Sequence, residues 1–165
     1  MAAPSPALRV TTRAAAPLFK NGFLVQSAAG ADAVLIDPGD EADTLVADAR
    51  AARANVGAIL LTHAHFDHIT GVGRAKAAFG VPIWLHRDDL FLYDGVTEQA
   101  AMFGLHVDRQ PAVDRFYAPD ETIRVGDLVI DVRHTPGHCP GGVCLAIGVA
   151  GDAGPHAVDG GSAES

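Results

Sequence analysis

One run of seven residues, Thr62-His63-Ala64-His65-Phe66-Asp67-His68, limits what this chain can fold into more than any other stretch. Three imidazoles and one carboxylate follow directly on the apolar run Ala58-Ile59-Leu60-Leu61 and directly precede a segment that reads as helix. An apolar run of that length reads as a buried strand, so its end delivers ligand-type side chains from a rigid base. Neutral imidazole nitrogen and carboxylate oxygen are the donors that zinc or iron takes. His63 and His65, two apart, point the same way from an extended segment, whereas Asp67 and His68 turn away at the helix entry. One loop can therefore serve two metal ions. The plainer alternative is a solvated polar loop or a His-rich tract without a role. The interleaved aspartate and the strand-to-helix setting speak against it.

The length of 165 residues suits a single domain, and 48% hydrophobic with 19% charged residues suits a globular one. A net charge of -8 argues against binding a phosphate backbone, so no nucleic acid partner is expected. Cys139 and Cys144 are too few for a disulfide framework, which favours a reducing, cytoplasmic setting. No apolar run approaches a membrane span.

Along the chain, Met1 to Pro17 is rich in Ala and Pro and resembles a transit peptide in composition, but lacks a secretory apolar core. It reads as a short disordered start running into an edge strand at Leu8 to Thr12. Asn21-Gly22 signals a turn before the strand Phe23 to Gln26. Ala33 to Ile36 reads as a buried strand closing on Asp37-Pro38-Gly39, and Asp40 as the N-cap of the next helix. After the strand Val56 to Leu61, a helix is expected from Ile69 to Phe79, ending at Gly80 in a left-handed cap. Gly71 and Gly73 in its first turns suggest close backbone approach near the metals. Phe91, Leu92, Tyr93, Met102 and Phe103 have helical spacing and read as core more readily than as the wall of a substrate cleft. His86 and His106 have no companion ligands nearby and read as surface or hydrogen-bonded histidines.

Gly126-Asp127, between Ile123-Arg124-Val125 and Leu128 to Val132, is a two-residue hairpin signal. The second arm leads to Thr135-Pro136-Gly137-His138, where proline and glycine allow a tight turn that brings His138 inward as a further ligand. His134 reads as structural. Cys139 follows His138, yet alternation need not aim it at the same ion. A core strand is expected over residues 142–149. Gly151 to Ser165 lacks apolar periodicity and reads as a flexible tail, so the domain is expected to span residues 1–150 and the tail 151–165.

These motifs together carry a resemblance. His-x-His-x-Asp-His, as His63, His65, Asp67 and His68, resembles the signature of the metallo-beta-lactamase fold hydrolases. Thr135-Pro136-Gly137-His138 with Pro140-Gly141-Gly142 is similar to that family's next ligand loop, and Leu35 to Gly39 to the strand and turn before its first helix. The resemblance implies an α/β fold, the αβ/βα sandwich of the family, with the second half incomplete. It implies a bridging aspartate and a last histidine, for which Asp152 and, less well, His156 are the candidates. Within the family the chain is most similar to glyoxalase II-like hydrolases. That likeness implies a metal-dependent hydrolase of thioesters such as a hydroxyacylglutathione. His63, His65 and His138 would hold a first Zn2+ bearing a nucleophilic hydroxide, and Asp67 and His68 would hold a second ion or orient the water. Alternatives are a persulfide dioxygenase-like iron enzyme and a non-catalytic metal-binding remnant. An incomplete sandwich exposes apolar sheet, so a homo-oligomer, a missing partner segment or a truncated reading frame are all expected possibilities.

Overall fold

The computed structural model describes residues 7–151 and the backbone of residues 156–158. Six strands form one sheet: β1 (Leu8–Ala14), β2 (Asn21–Ser27), β3 (Asp32–Ile36), β4 (Asn55–Leu60), β5 (Ile83–Leu85) and β6 (Arg115–Phe116), in that spatial order. The β1–β2 and β2–β3 pairs are antiparallel, and β3 through β6 run parallel. Helices α1 (Ala42–Ala51), α2 (Val72–Phe79), α3 (Leu90–Asp94) and α4 (Val96–Ala101) fall within the parallel crossovers. A second, antiparallel sheet holds β7 (Thr122–Val125), β8 (Leu128–His134), β9 (Val143–Val149) and β10 (His156–Val158), in the order β10-β9-β8-β7.

Side-chain alternation explains the layering. In the first sheet Leu24, Leu35 and Ile59 pack with Leu45, Ile69 and Val72 of the helical side. Their neighbours Val25, Val34, Ile36, Ala58 and Leu60 face the other way and meet Leu128, Ile130, Leu145 and Ile147 of the second sheet. The first sheet is thus buried on both faces, as a largely parallel sheet requires. The second sheet turns Ile130, Val132 and Leu145 inward, while Arg133 on the opposite face is exposed. This is the expected α/β architecture, a helix layer on a sheet packed face to face on a second sheet.

Several local expectations change. Asn21 and Gly22 lie inside β2, paired with Ala14 and Arg13. The turn sits earlier, and Gly22 leaves room for the Glu41 side chain, which an added Cβ would strike. Asp40 does not cap α1. Its carboxylate accepts from Thr70 Oγ1 at 2.8 Å, and α1 starts at Ala42 after Glu41 without a side-chain cap. Helix α2 begins at Val72 rather than Ile69, because Phe66–His68 forms a separate 3₁₀ turn. Gly80 takes the expected left-handed cap, with φ of 63°. An added Cβ on Gly71 would meet Gly39 O and Ala42, so the close approach there is to the turn before α1. His156–Val158, expected within a flexible tail, pairs with Leu145–Ile147 as β10.

Candidate metal centre

The ligand loop leaves β4 at Leu61 and is held from three sides. Val143 N–H donates to Thr62 O at 2.8 Å, joining the start of β9 to the loop. Tyr117 Oη donates to Leu61 O at 3.1 Å. Asp89, in a 3₁₀ turn after β5, is completely buried. Its Oδ2 accepts from Ala64 N–H at 2.9 Å and its Oδ1 from Gly141 N–H at 2.7 Å. One carboxylate therefore clamps the loop of His63 and His65 to the loop of His138.

A second buried carboxylate orients the rings. Asp37 ends β3 in the left-handed region, with φ of 49°, which aspartate tolerates better than most residues. It accepts from Thr62 N–H at 2.8 Å, from Thr62 Oγ1, and from His68 Nδ1 at 3.0 Å. Burial alone would raise the Asp37 carboxyl. The His68 hydrogen bond and the charges of His68, Lys20 and His63 outweigh it and hold the group below the ordinary range. Thr62 Oγ1 gives its proton to Asp37, so it can only accept from His63 Nδ1, 3.1 Å away. The lone pair of His63 is thereby assigned to Nε2, and that of His68, by the same logic, to its own Nε2.

His63, His65 and His138 converge, with ring centroids 5.1 Å apart for His63 and His65, 5.2 Å for His63 and His138, and 4.6 Å for His65 and His138. His65 Nδ1 faces His138 Nε2 at 3.0 Å. His68 stacks at a tilt on His63, centroids 4.1 Å apart. Burial and neighbouring imidazoles lower His63 to about 4, and burial and His138 also lower His65, so both rings are neutral at pH 7. His63 Nε2 is buried without a hydrogen-bond partner. An orphaned lone pair beside the rings of His65 and His138 fits a divalent cation.

Asp67 lies on the wall of the same cavity, its Oδ2 3.9 Å from His68 Nε2. That cavity, about 440 Å³, is otherwise walled by Leu18, Phe66, Gln99, Met102 and Phe103 beside the imidazoles. Met102 and Phe103, read as core from their spacing, are 85% and 68% exposed, and Phe91 is 62% exposed. Only Tyr93 of that group is fully buried. His86 stacks on His134, centroids 4.1 Å apart, and His134 Nε2 donates to Pro140 O at 2.8 Å. His106 is exposed and bonded to Asp108. Asp152 lies outside the described residues, as does the side chain of His156.

The sequence pattern of the metallo-beta-lactamase superfamily matches residues 15–153, most of the chain and all of the loops just described. The chain belongs to the metallo-beta-lactamase superfamily. That superfamily consists of metallo-hydrolases that bind divalent metals. Among similar proteins, hydroxyacylglutathione hydrolase GloC of Haemophilus influenzae is 36% identical over 118 residues, covering 67% of this chain and 53% of that protein. The probable metallo-hydrolase YqgX of Bacillus subtilis is 32% identical over 112 residues, covering 67% of this chain and 53% of the relative. The chain thus spans about half the length of both. Among solved structures, TTHA1623 in a di-iron-bound form is 38% identical with a TM-score of 0.71, covering 82% of this chain and 66% of that one. The B3 metallo-beta-lactamase BLEG-1 is 27% identical with a TM-score of 0.75, covering 84% and 66%.

Sequence reasoning singled out His63, His65, His68, His138 and Asp67 but not Asp37 or Asp89 as parts of the site. Asp37 sits in a motif recognisable as a strand end, and Asp89 in an acidic pair after β5. Neither position announces a partner 25 or 52 residues away in sequence. Cys139, whose direction alternation left open, has its Sγ 3.3 Å from His65 Nε2. Burial and the charges of Asp89 and Asp67 push that thiol up to about 12.

Proposed function

We propose that this chain carries the metal-binding part of a hydrolase that cleaves thioesters of the hydroxyacylglutathione type. The observation that carries the reading is the buried, unpartnered His63 Nε2 beside His65 and His138, at a cavity whose far wall carries Leu18, Phe66, Met102 and Phe103. The 36% identity to a hydroxyacylglutathione hydrolase supports the substrate class. His63, His65 and His138 would hold one Zn2+ ion, and Asp67 with His68 a second. Bound there, zinc supplies Lewis acidity and lowers the pKa of a water to about 7. Asp37 fixes the tautomers of His63 and His68 through Thr62 and its own carboxylate, so that no reorganisation is needed when an ion enters. Asp67 is the one carboxylate among the described residues lining the cavity, and it orients water toward the substrate carbonyl. Phe66, Met102 and Phe103 offer the acyl group an apolar wall.

Elemental analysis per chain, paired with thiol release from a hydroxyacylglutathione thioester, tests this reading. Wild-type protein is expected to hold metal and release thiol, and His65→Ala to lose most of the metal. Unchanged metal in His65→Ala sinks the ligand assignment. Metal retention without thiol release would make the chain a metal-binding remnant. A second reading, iron-dependent oxidation of a persulfide, draws on the likeness to the di-iron TTHA1623 structure. Iron in the purified protein together with oxygen uptake on a glutathione persulfide would favour it.

A further inference from the structure

Gln99 lines the cavity from α4 and has no part in the proposed hydrolysis. Its amide carries two hydrogens, and both are committed: Nε2 donates to Leu92 O at 2.6 Å and to Ala64 O at 3.3 Å. Two carbonyl partners fix which end of the amide is nitrogen, since an oxygen there would face two acceptors. The side chain is thereby left with one polar atom for a ligand, the acceptor Oε1. Ala64 stands between His63 and His65, so the amide is tied to the ligand loop itself. The rest of the wall is apolar, from Leu18, Phe66, Met102 and Phe103, and Phe66 packs on Phe103 with ring centroids 5.1 Å apart. No lysine or arginine is among the described residues that line the cavity. An ionised carboxylate seated on this wall finds no cation, and a plain alkyl chain leaves Oε1 without a donor, which is costly wherever water is excluded. A neutral hydroxyl on an otherwise apolar group meets both demands, because it donates to the oxygen and presents carbon to the wall.

We propose that Gln99 Oε1 accepts the hydroxyl of a 2-hydroxyacyl thioester whose alkyl or aryl substituent lies on Phe66, Met102 and Phe103, and that this contact sets the acyl specificity. The proposal rests on the reading of the chain as a thioester hydrolase. In that reaction the water oxygen bonds to the acyl carbon and the carbon–sulfur bond breaks. Sulfur leaves with the electron pair and gains a proton, while the 2-hydroxyl keeps its own. Gln99 therefore acts on which acyl group is held and not on the bond that breaks.

Thiol release from S-lactoylglutathione and S-propionylglutathione, which differ by the hydroxyl alone, measures the contact on the zinc-reconstituted full chain. Wild-type protein is expected to favour the lactoyl thioester about 10-fold in kcat/KM, the scale of one unmatched polar group, and Gln99→Met to bring the ratio close to one. Loss of the bond to Ala64 O in that variant disturbs the loop for both substrates alike and cancels in the ratio. Parity of the two substrates in wild-type overturns the assignment, as does a preference that survives Gln99→Met. Absence of thiol release from both removes the thioesterase reading, and binding then decides the Gln99 contact. Met102 is one of two methionines, so its 13C-labelled methyl group reports lactate and propionate entering the zinc-loaded cavity. Tighter binding of lactate in wild-type with equal affinities in Gln99→Met upholds the contact. Equal affinities in wild-type, or an unchanged difference in the variant, overturn it.

Discussion

At the scale of single residues, burial keeps the rings of His63 and His65 neutral. His63 ionises near 6.5 in an unfolded chain and at about 4 in the fold, chiefly because burial penalises its charged form. Between those values the unfolded state binds more protons, so stability is fully present above about pH 6.5 and falls as pH drops toward 4. The loss from this one group is on the order of 3 kcal/mol. Melting temperature of chelated protein, followed from pH 7.5 to about 4.5, is expected to fall steeply, and His63→Gln to flatten the slope. A melting temperature that stays level across that window would mean the ring is solvated. The histidine pattern was legible from spacing alone, because three of the four imidazoles come from one loop. The neutral state of His63 and His65 was not, because it depends on burial that the loop does not create by itself.

At the scale of elements, the two loops meet at the rings of His65 and His138, 3.0 Å apart between Nδ1 and Nε2, and a buried carboxylate joins their backbones. The buried Asp89 carboxylate holds Ala64 N–H and Gly141 N–H together, and an added Cβ on Gly141 would come within 2.7 Å of Asp89. Asn in place of Asp89 turns a donor toward one of those N–H groups and leaves it unsatisfied, at a cost of about 1–3 kcal/mol. Because the clamp sets the distance between His65 and His138, Asp89→Asn is expected to weaken zinc affinity about 10- to 100-fold, the usual loss when a supporting partner is removed. Competition with a chromogenic chelator measures this. Unaltered zinc affinity alongside a lowered melting temperature would reduce Asp89 to a purely structural residue. The 3₁₀ turn Arg87–Asp89 carries this role although nothing in its local sequence demands it.

At the scale of the whole molecule, the site sits where the two sheets meet at one end. Lys20 reaches it from the start of β2, donating to Glu41 Oε1 at 2.7 Å and to Asp37 O, with its side chain only 5% exposed. Glu41, 2% exposed, also accepts from Gly39 N–H at 3.0 Å. The pair thus ties β2, the Asp37 turn and α1 into one frame. Removing the cation alone leaves a buried, unpaired carboxylate, so Lys20→Met is expected to cost about 3–5 kcal/mol. Urea unfolding with an unchanged m-value checks it, and a loss below about 1 kcal/mol would place the pair in effective contact with solvent. Between the sheets, Ile130 is fully buried against Ile123 and Ile147, its paired neighbours. Ile130→Ala is expected to cost about 2–5 kcal/mol without altering zinc affinity per folded chain, since no donor rests on it.

By itself, the sequence determined whatever depends on near neighbours: the alternating strands, the Gly126-Asp127 hairpin, the left-handed stop at Gly80, and the clustering of His63, His65 and His68 on one loop after β4. Those features are set by backbone preference and by side-chain period, and both are local. The tertiary structure alone decided which carboxylates serve the site, since Asp37 finds Thr62 across 25 positions and Asp89 finds Gly141 across 52. It decided that Cys139 meets His65 across 74 positions, and that Met102 and Phe103 wall the cavity instead of joining the core. Contacts of that kind arise only when two sheets and a helix layer close on one another. No periodicity within a single segment carries them.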